Sequence, residues 1–260
     1  MLLREMTWQD IDRLDRSTVA IVPFGAMEQH GAHLPLETDA LIGQEMARRV
    51  DEACGRRLLV LPAQWLGIST HHMGFAGSLT ASAETYLAMA TEILGSLAHA
   101  GFRKILALNS HGGNASALDV VLTKCRQSFP DTRIVLVTYW NMAAPELGAL
   151  RESGEGGMGH AGELETSIVL AINPSIVRTR MAGPDGSWPC SEFLARDMLR
   201  GGPASVSRSF SDISRNGAVG DPSTATAEKG ERFLSVIVAK LTELVKELDS
   251  GKIDEFRPVG

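Results

Sequence analysis

The amino-acid sequence predicts an α/β protein of three layers, α/β/α, with a mostly parallel central sheet. Two observations support this fold class: short apolar runs rich in Val, Ile and Leu recur along the chain, and longer amphipathic stretches separate them. Strands that alternate with helices in this way form parallel sheets with helices on both faces. The 260 residues, 44% of them hydrophobic, suffice for the core of one such fold, so we expect residues 1–260 to form a single domain.

Strands are predicted where the apolar runs are nearly continuous, at Thr18–Pro23, Leu58–Pro62, Lys104–Leu108 and Ile134–Thr138. Helices are predicted between and after them, at about Leu41–Ala53, Ser82–Ala100, Ala115–Ser128, Ala161–Ile172 and Thr224–Leu248. The region Ala182–Pro222 is rich in Gly, Ser and Pro, which indicates surface or contact loops. Four apolar residues in that region either contact another subunit or fold back onto the core: Trp188, Phe193, Leu194 and Phe210.

Charge and composition narrow the expected partners. The formal net charge of -6 comes from mixed signs without a long basic run, so a nucleic-acid partner is not expected. No apolar stretch reaches the ~20 residues that span a bilayer, and the charged residues of Met1–Arg16 leave no room for the apolar core of a signal peptide. Three widely spaced cysteines without a CxxC pair, Cys54, Cys125 and Cys190, fit a reducing compartment. We therefore expect a cytoplasmic protein without a membrane partner.

Polar side chains follow each predicted strand. In chain order, these clusters are Glu28 and His30, residues 69–78, Asn109 to Asn114 with His111, and His160 with Glu165. With His33, which lies in the same loop as His30, six of the seven histidines are in these segments. Because the carboxyl ends of parallel strands share one edge of the sheet, where open α/β folds bind ligands, we expect the clusters to converge.

The residue types in these clusters suit two divalent cations. Five side chains, of which one carboxylate bridges, would give each ion three protein ligands and leave a position open for water. The five are Glu28, His30, Asp39, His111 and Glu165. An open position indicates catalysis rather than structural support.

Each residue also has an ordinary structural interpretation. Asp39 could cap the helix that follows it, and His111 could be a turn residue in Ser-His-Gly-Gly-Asn. Glu163 is a rival ligand two residues before Glu165, and His33 is better suited to support a loop or a ligand than to bind metal. These explanations would all have to hold at one edge of one sheet, so metal binding is the better interpretation.

Three segments resemble the signature motifs of the creatininase (creatinine amidohydrolase) family. They are Pro23–Asp39 (PFGAMEQHGAHLPLETD), Asn109–Asn114 (NSHGGN) and His160–Ser167 (HAGELETS), and two shorter segments, His72–Ser78 and Gly220–Gly230, are similar to further parts of the family. The resemblance implies a creatininase-like fold, a homohexamer and a dinuclear hydrolase of amide carbon–nitrogen bonds. Zinc or manganese would be the usual metal, with Fe²⁺ as an alternative, and the mixed nitrogen and oxygen ligands suit them.

The resemblance also implies a role for each matching residue. Glu28 and His111 would hold one ion, His30 and Glu165 the other, and Asp39 would bridge them. A hydroxide held between the ions would attack the amide carbonyl, and His160 would protonate the leaving amine. Ser78 would contact the substrate. Because negative charge develops on the carbonyl oxygen during attack, we also expect backbone N–H groups around Gly112 and Gly113 to assist a metal in stabilising this oxyanion.

One departure from the family limits the substrate prediction. Creatininase itself has a tyrosine and a glutamate where this chain has Gly112 and Gly113, so one metal contact and part of the substrate wall are absent. We expect a small polar amide, formamide or cyclic amide other than creatinine. Two alternatives stay open: a metallopeptidase-like enzyme that trims a short modified peptide in cofactor biosynthesis, and a catalytically silent metal-binding assembly protein.

Overall fold

The computed structural model describes residues 1–186, 188–189 and 191–255. Its sheet has four parallel strands in the order β2-β1-β3-β4. The strands are β1 (Val19–Phe24), β2 (Leu59–Val60), β3 (Lys104–Asn109) and β4 (Arg133–Thr138). The second strand is shorter than predicted, because Pro62 has no N–H to continue the ladder.

Eight α-helices surround the sheet in the part of the chain that the structure describes. They are α1 (Trp8–Asp12), α2 (Thr38–Ala53), α3 (Ala83–His99), α4 (Ala115–Ser128), α5 (Tyr139–Met142), α6 (Ala144–Leu150), α7 (Glu163–Ile172) and α8 (Ala227–Ser250). The three short helices α1, α5 and α6 were not predicted, since each is too short to show an amphipathic period. Every helix within these described residues is too short or too polar to cross a membrane.

The two faces of the sheet bury separate cores. In β1, Val19 and Ile21 face the core shared with α2, α7 and α8, whereas Val22 and Phe24 face the core shared with α3 and α4. Successive side chains of a strand point to opposite faces, so an almost continuous apolar run serves both cores. The predicted three-layer α/β/α fold is thus confirmed.

The prediction of surface or contact loops for Ala182–Pro222 is wrong near the end of that region. Gly217, Ala218, Val219 and Gly220 are buried, and the Val219 N–H donates to the carbonyl of His160 at 2.9 Å. Small side chains let this stretch pack closely despite its polar composition. It therefore forms part of the wall around the carboxyl edge of the sheet. Cys190 lies outside the described residues.

Candidate metal centre

The loop after β1 carries two of the predicted ligands into the interior. Gly31 turns the chain with a φ of +64°, and both Glu28 and His30 are buried. Gly25, at the start of the loop, lets α2 approach closely, because a Cβ at this position would lie 2.6 Å from the Ala40 nitrogen. The first turn of α2 is thereby held against the loop.

Asp39 lies in that first turn and directs one carboxylate oxygen toward each of two histidines. Its Oδ1 is 3.1 Å from His30 Nε2, and its Oδ2 is 3.0 Å from His111 Nδ1. The N-cap residue of α2 is Glu37, so Asp39 is not the capping residue. A carboxylate with one oxygen beside each of two imidazoles has the geometry of a bridge between two cations.

The other predicted ligands form one group on each side of Asp39. Glu28 Oε1 lies 3.3 Å from His111 Nδ1 in the first group, and Glu165 Oε1 lies 3.8 Å from His30 Nε2 in the second. All five side chains are buried. The structure therefore brings residues from four separate segments to one place.

The turn before α7 selects which glutamate joins the cluster. Ala161 adopts a φ of 54°, a left-handed conformation that is uncommon for a residue with a Cβ, and its N–H donates to Glu165 Oε2 at 2.6 Å. Glu163 instead accepts hydrogen bonds from Lys229 Nζ at 2.6 Å and from the Ser153 N–H at 2.8 Å. Glu163 is thus committed to a buried ion pair, and Glu165 faces the histidines.

Backbone carbonyls orient the rings of the two predicted ligands His30 and His111. His30 Nδ1 donates to the Glu28 carbonyl at 3.1 Å, and His111 Nε2 donates to the Ile68 carbonyl at 3.0 Å. The other nitrogen of each ring faces Asp39, so either a proton on that nitrogen or a cation between the nitrogen and the carboxylate must lie there. Two buried carboxylate oxygens, Glu28 Oε2 and Asp39 Oδ2, accept no hydrogen bond from any described residue. This holds for Asp39 Oδ2 although it lies close to His111. Buried oxygens without donors fit metal ligands.

In the metal-free chain, protons on the histidines balance the buried carboxylates. Burial lowers the pKa of His30 and of His111, but the facing carboxylates outweigh burial and raise both pKa values well above the usual range. Burial raises the pKa of Glu28, but His111 and His72 outweigh it and hold that pKa well below its usual value. Burial raises the pKa of Glu165 more than His30 lowers it. The site requires positive charge, from protons or from cations.

His160 lies beside both groups with one ring nitrogen fixed. Its Nε2 donates to the Gln29 carbonyl at 2.7 Å, and its Nδ1 is 3.9 Å from Glu28 Oε1. The centroid of its ring is 4.3 Å from that of His30 and 4.5 Å from that of His72. Burial and then these two imidazoles lower the pKa of His160 well below the usual value. His160 is therefore neutral near pH 7 and can accept a proton at Nδ1.

Two residues that sequence reasoning did not assign, Gln29 and His72, support Glu28. His72 Nε2 is 3.0 Å from Glu28 Oε1, and His72 Nδ1 is 2.6 Å from Gln29 Nε2. The Gln29 amide is oriented because its oxygen accepts the Gly31 N–H and its nitrogen donates to the Gly217 carbonyl. Since that amide nitrogen also donates to His72 Nδ1, the proton of His72 lies on Nε2, toward Glu28. Both residues lie in segments that resemble family motifs, which was the one feature that could have pointed to them.

Two more buried polar side chains border the cluster. Tyr139 follows β4 directly, and its hydroxyl has no hydrogen-bond partner among the residues described. Burial, with the charges of Glu165 and Asp39, raises the pKa of Tyr139 well above its usual value. His33 Nε2 lies 2.9 Å from Thr166 Oγ1, so His33 braces α7 beside Glu165, and burial lowers its pKa to about 4. The position of Tyr139 at the carboxyl end of a strand is the signal that could have revealed it.

The residues predicted to contact substrate have different surroundings. Ser78 is buried, and its hydroxyl accepts the Gln29 N–H at 3.1 Å. A Cβ at Gly112 would meet no atom within 4 Å, whereas a Cβ at Gly113 would lie 2.1 Å from the carbonyl oxygen of Ile68. Gly112 thus borders open space, and Gly113 is packed against protein.

Comparison with known proteins agrees with this geometry. The family model described as creatininase (creatinine amidohydrolase) matches residues 4–245. The chain belongs to the creatininase family. A mycofactocin precursor peptide peptidase of Mycobacterium ulcerans (strain Agy99) is 32% identical over 225 residues, which cover 84% of this chain and 80% of the peptidase. Two solved structures are also similar: a mutant creatininase of Zn-Zn type and one described as creatininase Mn. Each has a TM-score of 0.76 and 26% sequence identity to this chain, and each match covers 95% of this chain and 97% of the solved one.

A cleft of about 740 Å³ borders the metal centre of this creatininase-family hydrolase. The residues that line it include His71, Gly112, Gly113, Arg208 and Phe210. Phe210 packs on three imidazoles of the site, with ring centroids 4.2 to 5.5 Å apart. This aromatic ring therefore packs on the site, a position that neither of the two alternatives, a subunit contact or packing on the core, had named.

Proposed function

We propose that this creatininase-family hydrolase cleaves an amide carbon–nitrogen bond with two divalent cations, zinc or manganese. The observation that carries the proposal is the bridging geometry of Asp39, which places one oxygen 3.1 Å from His30 Nε2 and the other 3.0 Å from His111 Nδ1. Glu28 and His111 would hold one cation, and His30 and Glu165 the other. Mixed imidazole and carboxylate donors suit either metal, and solved structures similar to this chain are described by both metals.

The bound cations would polarise the amide carbonyl and lower the pKa of a water molecule, which supplies a nucleophile near neutral pH. His160 is placed to move the proton. Its Nε2 is held by the Gln29 carbonyl, so Nδ1 remains free toward the cluster, and its lowered pKa keeps the ring unprotonated at the start of the reaction. It would accept a proton from the water and donate it to the amine as that group leaves.

The candidate substrates, a small cyclic amide and a short peptide, differ in how much of the cleft they would fill. A small cyclic amide could reach the metal centre but would leave most of the 740 Å³ cleft unused. A short peptide would extend along this cleft, and the similarity to peptide peptidases of the family also favours it. We therefore propose a short peptide or an amide with a comparably long arm as the substrate, ahead of a small lactam.

Arg208 gives this proposal a specific contact. It lines the cleft and has no ion-pair or hydrogen-bond partner among the described residues. We propose that it pairs with a carboxylate of the substrate. Because Arg208 is exposed, such a pair contributes up to about 1 kcal/mol, which corresponds to about fivefold in binding.

The test is a hydrolysis screen of the metal-loaded enzyme against lactams, formamides and short peptides with a free or an amidated carboxyl end. Arg208→Gln should raise KM by up to about fivefold for peptides with a free carboxylate and leave the amidated series unchanged. Arg180→Gln is the matched control, since Arg180 is exposed and outside the cleft lining. Activity confined to lactams, or an equal loss for both peptide series, would reject the peptide assignment.

A further inference from the structure

We propose that His71 is an additional protein ligand to the cation held by Glu28 and His111, an inference that rests on the two-cation centre proposed above. One ring nitrogen of His71 belongs to a group with ligand atoms of Glu28 and His111 in which all separations are within 4.8 Å. No motif of the sequence assigned a role to His71. The metal centre would thus have a sixth ligand from the segment after β2.

The short turn Thr70–His72 gives its two adjacent histidines different surroundings. His72 is buried, and both of its ring nitrogens are engaged, one with Gln29 and one with Glu28. His71 is half-buried on the side of the cleft, and neither of its ring nitrogens has a hydrogen-bond partner in the part of the chain described. An imidazole that borders a buried carboxylate with both nitrogens uncommitted is available as a metal ligand.

The packing around His71 keeps it close to His111. The two rings are stacked, with 7° between their planes and 5.7 Å between their centroids. A Cβ at position 113 would lie 2.9 Å from His71 Cε1 and 2.5 Å from His111 Nε2, so Gly113 makes room for both rings. The packing of these two rings therefore explains why position 113 is a glycine in this chain.

The distances permit shared coordination after a small movement. Zinc bonds of about 2.0–2.2 Å at a tetrahedral angle place two ligand atoms about 3.4 Å apart. The separations within 4.8 Å would close by at most about 1.4 Å. His71 lines the cleft, and rotation about its side-chain torsions would provide this movement without a change in the backbone.

An extra imidazole makes the two cation sites unequal. The first cation would have two imidazoles and two carboxylates, counting the shared Asp39, whereas the second would have one imidazole and two carboxylates. The first site should therefore bind its cation more tightly than the second.

The test measures metal binding rather than turnover. Chelator competition with Co²⁺ gives the affinities of both sites, and the visible absorption of bound Co²⁺ reports the coordination of each. His71→Ala should weaken one of the two sites by at least about tenfold, leave the other unchanged and alter the cobalt spectrum. His71→Asn serves as a second variant that keeps a polar side chain. Met73→Ala, in the same turn, and His99→Ala, on the exposed face of α3, are controls that should match the wild type.

The outcomes separate this inference from the proposed function. If the wild type takes up two cations and both His71 variants bind them with unchanged affinities and spectra, His71 is not a ligand and the five-residue centre stands. If the wild type takes up no cation, the metal-dependent function fails and the role of His71 fails with it.

Discussion

Replacing Lys229 with methionine should destabilise the protein by about 3–5 kcal/mol, because removal of one partner of a buried ion pair leaves the other charge uncompensated. The Lys229 side chain is 4% exposed, and its Nζ lies 2.6 Å from Glu163 Oε1 and 2.6 Å from the Thr224 carbonyl. Glu163 is fully buried and also accepts the N–H groups of Glu152 and Ser153. The pair joins α7 to α8, and Glu163 also holds the backbone of Glu152 and Ser153, which precede His160 in the chain.

An exposed ion pair provides the matched control. In Lys240–Glu146, which joins α8 to α6, both side chains are about 40% exposed, so Lys240→Met should cost less than about 1 kcal/mol. Urea unfolding of the metal-loaded variants, followed by circular dichroism, gives both free energies at pH 7. The reasoning is refuted if Lys229→Met stays within about 1 kcal/mol of the wild type, or if the two methionine variants lose the same stability.

Three further predictions concern the site and its support. Asp39→Ala should remove the bridge, so the variant should lose both cations and its activity. His160→Ala should retain two cations and lose turnover. Metal analysis and a hydrolysis assay of both variants distinguish these roles, and equal metal loss in the two variants would contradict the role of His160. Gly113→Ala should cost about 1–3 kcal/mol through the contact with a carbonyl 2.1 Å away, whereas Gly112→Ala, with no atom within 4 Å, should not change the unfolding midpoint. Glu45 accepts hydrogen bonds from two arginines of its own helix, and although burial raises its pKa, these arginines lower it below the usual 4.5. The Glu45 carboxylate therefore stabilises the fold by about 1 kcal/mol above pH 4.5, and this contribution is lost as the pH falls through the lower pKa of the folded state. Urea unfolding at several pH values should show the Glu45→Gln variant less stable than the wild type near pH 7 and equally stable in acid.

The sheet and its long helices were predictable because each has a strong local pattern. The runs that became β1 and β3 are apolar at almost every position, and such continuity occurs when both faces of a strand are buried. The run that became β4 is similar, although this edge strand is only half-buried. The long helices α3, α4 and α8 carry an apolar stripe with charges opposite. The order of polar clusters after the strands then located the edge where the site lies, because parallel strands end on the same side.

The contacts that complete the site depend on loop paths that local patterns do not record. Gln29 meets His72 and Gly217 across long stretches of chain, and the polar composition around Gly217 favoured a surface loop rather than a wall of the site. The ion pair between Glu163 and Lys229 likewise joins two helices that are distant in sequence. Sequence reasoning could name Glu163 as a rival ligand, but only the position of Lys229 explains why its carboxylate turns away from the cluster.

Diffraction from crystals grown with Zn²⁺, measured at the zinc absorption edge, tests the two-cation centre most directly. We predict two anomalous peaks about 3.5–4 Å apart, one between Glu28 and His111 and the other between His30 and Glu165, with Asp39 between them. A single peak, peaks elsewhere on the chain, or no peak at saturating zinc would contradict the proposed centre.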